Sequence, residues 1–511
     1  MIRLRSNGML VKKLYDKTIT YSNTVAKSKR KNIGQFFTPP SVANYMGGLM
    51  DNQKKDIRVL DAGAGTGMLA GAVCQEAIKK AEIESIHVDL YETDENILLF
   101  LQQNMEIIRE EVAQAGKQFS YFIIKENFIL KNEDYWRGTE ERDEKQLYDV
   151  IISNPPYKKI AKSEQESFAM DSVVHGQPNM YFLFMAMAAS LLKVDGELIF
   201  ITPRSFTSGL YFRKFREYFL NTVRLTHLHL FNSRSDVFDS DKVLQEAVIL
   251  RAVKTKKNTD TIHISTSENM YMEDSFIHEV PYDTVVDMQS DNLFMLIPSS
   301  VEEVDLLTLV NSWDYNLIKL GFKLKTGPVV DFRALDLIKE EPEENTVPLL
   351  WANHFINNRI SFPVSISKNP QYIVNVEESK SVLLPSKNYL LIKRFSSKEE
   401  KRRIQCSLYF ADEFTNEKVG IENHLNYITK LKGEMTEEEI YGLFVLFNSS
   451  FIDTYYRILN GSTQVNATEV NAIPLPSLDI IKEMGKRLLE KDSITIETCD
   501  TIIEEMFIFK K

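Results

Sequence analysis

Between Gly34 and Val253, short apolar runs recur at intervals filled by polar, helix-forming stretches. The runs are IRVLDAG, SIHVDLYET, SYFIIKENF, LYDVIISN, ELIFITP, RLTHLHLF and EAVILRAV. Apolar strands alternating with helical segments predict a parallel α/β sheet with crossover helices. Met180–Leu192, MYFLFMAMAASLL, is apolar throughout. It is shorter than the ~20 residues that cross a bilayer, so it predicts a buried helix and no membrane span. The polar KTKKNTDT, Lys254–Thr261, reads as a boundary. Beyond it, VPLLWANHFINNRISFP and NYLLIKRF predict mixed strands and loops. EEEIYGLFVLFNSSFIDTYYRIL predicts one amphipathic helix and SLDIIKEMGKRLLEK another. For 511 residues two domains are expected. The pattern divides the chain into an N-terminal arm over 1–33, a parallel α/β domain over 34–257 and a mixed α+β domain over 258–511.

The charge distribution adds to this division. The net charge is −11, yet Met1–Gly34 holds nine bases against Asp16 alone. Lys387–Arg403 holds Lys387, Lys393, Arg394, Lys398, Lys401, Arg402 and Arg403 against Glu399 and Glu400. Such runs read either as solvated faces or as phosphate-binding surfaces. Tyr389 and Phe395, interleaved with the second run, tilt it toward nucleic acid. The N-terminus lacks an apolar core of about 7–15 residues before a small-residue cleavage site, so a cytoplasmic location without a membrane partner is expected. Cys74, Cys406 and Cys499 form no CxxC pair, which suggests neither a disulfide framework nor a zinc site. His227 and His229 alternate along RLTHLHLF, but two ligands do not make a metal site, and a structural role is preferred.

Two stretches carry candidate chemistry. VLDAGAGTGMLAGAV, Val59–Val73, is a strand running through Gly63, Gly65 and Gly67 into a helix. Glycines there let a ligand approach the backbone, and the helix N-terminus offers N–H groups; the alternative is a tight strand-to-helix connection. Glu92 ends the next strand, where such folds put a carboxylate on ribose hydroxyls. The GxGxG spacing favours a single adenosine-type ligand over a dinucleotide. The second stretch is SNPPY, where YDVIIS reads as a buried strand and the two prolines cannot extend it. A stiff turn between an amide, Asn154, and a ring, Tyr157, is the result.

VLDAGAGTG, the acidic tip Glu92 and SNPPY in this order resemble the S-adenosylmethionine-dependent methyltransferases that act on the 6-amino group of adenine in DNA, in their gamma-ordered class. GQFFTPPSVANYM, with Thr38, resembles the segment that closes over the methionine part of the cofactor. KENFIL resembles the motif whose acid contacts the cofactor adenine; Asn127 stands in place of that acid, followed by Phe128. PRSFTSGLYFRKFR, KTGPVVDFRA, NYLLIKRFSSKEEKRR and GSTQVNATEVNAIPLP extend the likeness to the PstI and BsuBI type of restriction-modification methyltransferases, over most of the chain.

The resemblance implies a Rossmann-like catalytic domain over 34–257 and a target-recognition domain over 258–511. The implied substrate is double-stranded DNA, with a cognate restriction endonuclease sharing the site. The implied cofactor contacts are Thr38, Asp61, Gly63, Gly65, Gly67, Glu92, Asn127 and Phe128, with no metal. An exocyclic amino group is a poor nucleophile because its lone pair is delocalised. Acceptors at the Asn154 side chain and the Pro155 carbonyl, stiffened by Pro156, would draw it out of conjugation. The base must be flipped out to reach them. Tyr157 would stack on one face and Phe238, in SDVFDSDKVLQEAVIL, on the other; Phe238 reads equally as a loop anchor. Rival readings are a protein-glutamine methyltransferase, which shares NPPY but has a short chain, and a catalytically silent nucleic-acid-binding module. No PD-(D/E)xK nuclease signature is present.

Overall fold

Five parallel strands carry the carboxyl edge on which both candidate stretches lie. The structure, a computed structural model, describes residues 9–24, 38–231, 247–257, 259–269, 272, 276–288, 290–365, 367–396, 400–460, 463–491 and 493–507. The chain forms two units, Met1–Ser300 and Val301–Lys511.

In the first unit, β1 (Asp56–Ala62), β2 (Ser85–Tyr91), β3 (Gln118–Ile124), β4 (Tyr148–Ser153), β5 (Leu192–Pro203), β6 (Arg224–Phe231), β7 (Ala247–Val253), β8 (Thr261–Ser267) and β9 (Phe276–Pro281) form one sheet. Its order is β3-β2-β1-β4-β5-β7-β6-β8-β9. Neighbouring strands from β3 to β5 pair in parallel, and β7 is antiparallel to both β5 and β6. Every residue of β4 is buried, as its continuous apolar run requires. From β1 the chain moves outward through β2 and β3, then returns to β4 on the other flank of β1. Strand order therefore reverses between β1 and β4, where the carboxyl ends of such a sheet leave a crevice.

Four helices matter for the crevice: α1 (Met9–Thr24), α2 (Pro40–Gly48), α3 (Met68–Lys79) and α4 (Glu95–Gln114). A Cβ on Gly47 of α2 would lie 2.7 Å from the Ala72 carbonyl oxygen of α3, so only glycine allows this close helix approach. The Met180–Ser190 helix, α5, is buried at ten of its eleven positions, as expected of an apolar run too short to span a bilayer. No described helix is long and apolar enough to cross a membrane.

Three features depart from the sequence pattern. The expected arm over 1–33 contains α1, whose Leu10, Val11 and Leu14 are buried in the core of the first unit; three apolar residues on one helix face outweigh the flanking lysines. The boundary expected at 257 falls inside the first unit, because β8 pairs in parallel with β6 and β9 pairs with β8. The single helix expected over EEEIYGLFVLFNSSFIDTYYRIL is two, Glu437–Phe447 and Ser450–Leu459. Ser449 breaks it: its hydroxyl accepts from the Ile452 N–H at 3.2 Å and caps the second helix.

The second unit is mixed. A six-stranded sheet contains Phe322–Thr326, Leu425–Lys430, Tyr389–Lys393 and Cys406–Tyr409 as consecutive neighbours, and a five-stranded sheet packs around Thr346–Leu350 and Lys418–Ile421. Helices Glu437–Phe447 and Leu478–Leu489 cross at Gly442 and Gly485, where any Cβ would strike the partner helix's backbone. The two units thus share no architecture.

Candidate active site

Strands β1 and β4 run in register, with Asp61 opposite Ile152. The glycine loop after Ala62 and the Asn-Pro-Pro-Tyr loop after Ser153 therefore leave the sheet side by side, and the Ser153 hydroxyl donates to the Ala62 carbonyl between them. Gly63, Gly65 and Gly67 have φ of 80°, 55° and 78°, the left-handed region that favours glycine. Gly63 and Ala64 donate to the Tyr91 carbonyl at 3.1 and 2.8 Å, binding the loop to β2. Gly65 donates to Glu92 Oε2 at 2.9 Å, and Asp94 N–H donates to Glu92 Oε1 at 2.7 Å. Glu92 is thus built into the loop, and burial raises its pKa above the ordinary carboxylate value.

Asp61 is almost fully buried. Its Oδ2 accepts from the Ala70 N–H of α3 at 3.1 Å, while Oδ1 meets no donor among the described residues. Burial raises its pKa to about 7, opposed by the Ala70 hydrogen bond and reinforced by the negative charge of Glu92. A carboxylate oxygen buried without a donor beside a glycine loop fits a polar ligand group. At Gly63 an added Cβ would come into ordinary contact with Phe184 Cε1, at 3.7 Å, so the left-handed φ rather than a lack of space selects glycine there.

Thr38 and Asn154, 116 residues apart in sequence, meet: Asn154 Nδ2 donates to Thr38 Oγ1 at 3.2 Å. Because the amide nitrogen is committed to Thr38, the oxygen is presented at the other end of the group. Pro155 is buried and Pro156 half-buried. Tyr157 donates to the Ile201 carbonyl of β5 at 3.1 Å, and its ring lies edge-on to Tyr181 at 6.3 Å. Burial raises its pKa, so it is a neutral ring donor.

Asn127 caps the short helix Phe128–Lys131 by accepting from Ile129 N–H at 2.9 Å and Leu130 N–H at 3.2 Å. That capping role needs only an oxygen, so an amide replaces a carboxylate without loss of the turn. Its Nδ2 donates to Glu166 Oε1 at 2.8 Å. Glu166 carried no sequence signal, since only the fold brings it to β3. Phe128 is buried between Tyr91 and Phe184, each ring 5.0 Å away. Phe238 lies outside the described residues. Another contact absent from sequence reasoning joins α1 to the glycine loop: Thr18 donates to Thr66 Oγ1 at 2.9 Å.

Two other candidate groups are accounted for by internal bonds. His227 Nε2 and the Tyr45 hydroxyl lie 2.8 Å apart, and both share Ser265 Oγ with His229 Nδ1. Burial lowers the pKa of His227 to about 4 and that of His229 to about 3, so both are neutral members of a buried network. Among the described residues no group of three His, Cys, Asp or Glu could hold a metal. In the second unit, part of the basic run faces inward. Arg402 donates to the carbonyls of Phe447, Asn448 and Ser449, closing the C-terminus of helix Glu437–Phe447. Arg403 is fully buried, with Nε on Ser396 Oγ at 3.2 Å and its guanidinium 5.6 Å from the Tyr456 ring centre. These two arginines are not surface cations, contrary to the phosphate-binding expectation for the run. Lys393 and Arg394 also have internal acceptors, Gln405 Oε1 at 2.8 Å and the Asn423 carbonyl at 3.0 Å.

Residues 67–238 match the family described as Eco57I restriction-modification methylase. The chain is 34% identical to the Type II methyltransferase M.BsuBI of Bacillus subtilis over 96% of its own length and 97% of the relative's. It is 33% identical to the Type II methyltransferase M.PstI of Providencia stuartii over 91% of both. The Type IIL restriction-modification enzyme MmeI, solved in complex with DNA, is alike in fold, with 13% identity and a TM-score of 0.52 over 98% of this chain and 74% of that one. With the glycine loop and acidic tip at the switch point of its sheet, the chain belongs to the S-adenosylmethionine-dependent Type II restriction-modification methyltransferases, the family of M.BsuBI and M.PstI.

Proposed function

We propose that this enzyme methylates the 6-amino group of an adenine flipped out of double-stranded DNA, and that residues 301–511 read the sequence around it. The observation that carries this reading is the Thr38–Asn154 hydrogen bond at the end of β4. It sets the Asn154 amide with its oxygen as an acceptor, next to the stiff Pro155 carbonyl.

Asp61, Gly63, Gly65 and Glu92 would hold the adenosine and methionine ends of S-adenosylmethionine, with Thr38, Asn127 and Phe128 along the same cleft. That cofactor supplies an electrophilic methyl group. Asn154 Oδ1 and the Pro155 carbonyl accept from the two amino hydrogens, which favours a pyramidal nitrogen with an available lone pair. These are fixed dipoles aimed at developing positive charge, and they need no reorganisation during the reaction. Tyr157, tied to Ile201, gives the extruded base a ring to stack on. The chain's likeness over nearly its whole length to restriction-modification relatives supports a nucleic-acid substrate over a glutamine side chain.

The test is transfer of label from S-adenosylmethionine to duplex DNA, followed by digestion to nucleosides. Label in 6-methyladenosine's deoxy form is expected. Label in cytosine, or in a glutamine-containing release-factor peptide instead of DNA, would overturn the reading.

A further inference from the structure

Next to the Asn154–Tyr157 loop lies a surface that the chemistry above does not use. Leu210 and Tyr211, 45% and 60% exposed, form the tip of a single turn, Leu210–Phe212. Two large apolar side chains adjacent in the chain are thus held out toward solvent at one point.

The tip is firmly mounted. Phe212 is buried, its ring 5.5 Å from Phe182 and 6.1 Å from Tyr181, and Tyr181 in turn packs on Tyr157. Behind the turn, buried Arg216 donates to the carbonyls of Phe206, Ser208, Gly209 and Asn292. Gly176, at φ 89°, leaves room for the Tyr211 ring: a Cβ there would lie 2.0 Å from Tyr211 Cδ1. The loop that carries Gly176 is bonded to the segment that follows Tyr157, with Ile160 N–H on the Pro178 carbonyl at 3.0 Å and Met180 N–H on the Lys158 carbonyl at 2.9 Å. Tip and catalytic loop are therefore parts of one framework.

Charge points to the partner. Lys158, Lys159, Lys162, Arg213 and Lys214 are exposed around this framework, and none has a carboxylate within ion-pairing distance among the described residues. The exposed acids of the same segments are Glu164, Asp171 and Glu217, fewer than these cations. Solvated cations around an exposed aromatic tip fit a phosphodiester backbone and its bases.

We propose that the Leu210–Tyr211 tip is a wedge that enters the duplex beside the extruded base, while the surrounding lysines and arginine hold the phosphates. The proposal rests on the DNA reading above and deepens it. Extruding a base leaves a gap in the stack, and an apolar side chain in that gap slows its return. Tyr211 supplies a flat face for the neighbouring base, and the missing side chain of Gly176 leaves the ring its place.

The experiment uses the full chain carrying Leu210→Ala and Tyr211→Ala together, with Tyr211→Phe as the conservative control. Single-turnover methylation is measured on a duplex with a paired target and on one whose target faces an abasic site. The double variant should lose about tenfold or more on the paired target and much less opposite the abasic site, where extrusion is part-done. Tyr211→Phe should keep the wild-type rates. Unchanged rates in the double variant, or equal losses on both duplexes, would overturn the wedge. A wild-type protein that methylates neither duplex would instead remove the DNA reading, and the wedge with it.

Discussion

The crevice edge and the Lys387–Arg403 segment both stand out in the sequence, and the fold treats them oppositely. At the crevice, Gly63, Gly65 and Gly67 form the turn between strand and helix that the sequence marks, with left-handed backbone at each, and Asn154 emerges beside them. In Lys387–Arg403, Arg402 turns inward to close a helix and Arg403 is buried. The difference lies in what each residue type encodes. Glycine and proline act through the backbone, whose permitted angles are local. A cation acts through the direction of a long side chain, which packing decides.

Substitutions at the two regions should therefore separate chemistry from stability. The largest effect is expected at Asn154. Asn154→Ala should lower single-turnover methyl transfer by about a hundredfold or more while leaving S-adenosylmethionine titrations near normal, as when one preorganised polar partner is lost. A near wild-type rate would remove its chemical role.

Arg402→Ala should do the reverse. Losing a charged donor to three carbonyls should cost about 2–3 kcal/mol in denaturant unfolding. DNA affinity measured well below the midpoint should hardly move, and a large affinity loss at unchanged stability would restore Arg402 as a phosphate contact.

Asp61 offers a pH signature at the crevice. Its folded pKa is raised to about 7 from an ordinary value of 3.8, so the ligand-free fold binds the proton more tightly than the unfolded chain does. Stability from this group is present below the unfolded value and is lost as pH rises toward 7. Relative to Asp61→Asn, the ligand-free wild type should lose roughly 2–3 kcal/mol between pH 5 and pH 8. Parallel stability profiles for the two proteins would show that the carboxyl is not buried as described. Both Asp61→Ala and Glu92→Ala should raise the cofactor's dissociation constant first.

The smallest effect belongs to Lys393 and Arg394, whose internal acceptors leave other donors available. Replacing both with Ala should reduce the salt slope of DNA binding by up to about one unit per lost phosphate contact. A slope identical to wild type would extend to them the inward role of Arg402.

The parallel sheet, the buried α5 helix and the crevice loops were legible because periodicity and turn residues are local signals. The split at Ser449 was missed although its capping serine is visible, because apolar residues continue on both sides of it. The boundary near 257 was misread because a polar loop looks alike between strands and between domains, and β8 joins the sheet only through pairing with β6.

The sequence by itself determined which backbone could form: where strands run, where glycine permits a left-handed turn, where two prolines stop β4. Tertiary structure alone decided which side chains meet. Thr38 reaches Asn154, Asn127 reaches Glu166 and Thr18 reaches Thr66 only because strand order reverses between β1 and β4 and helices pack across the result. The same packing turned Arg402 and Arg403 inward and left Lys158, Lys159 and Tyr211 facing solvent. Dihedral preferences belong to single residues, whereas proximity and exposure belong to the folded whole.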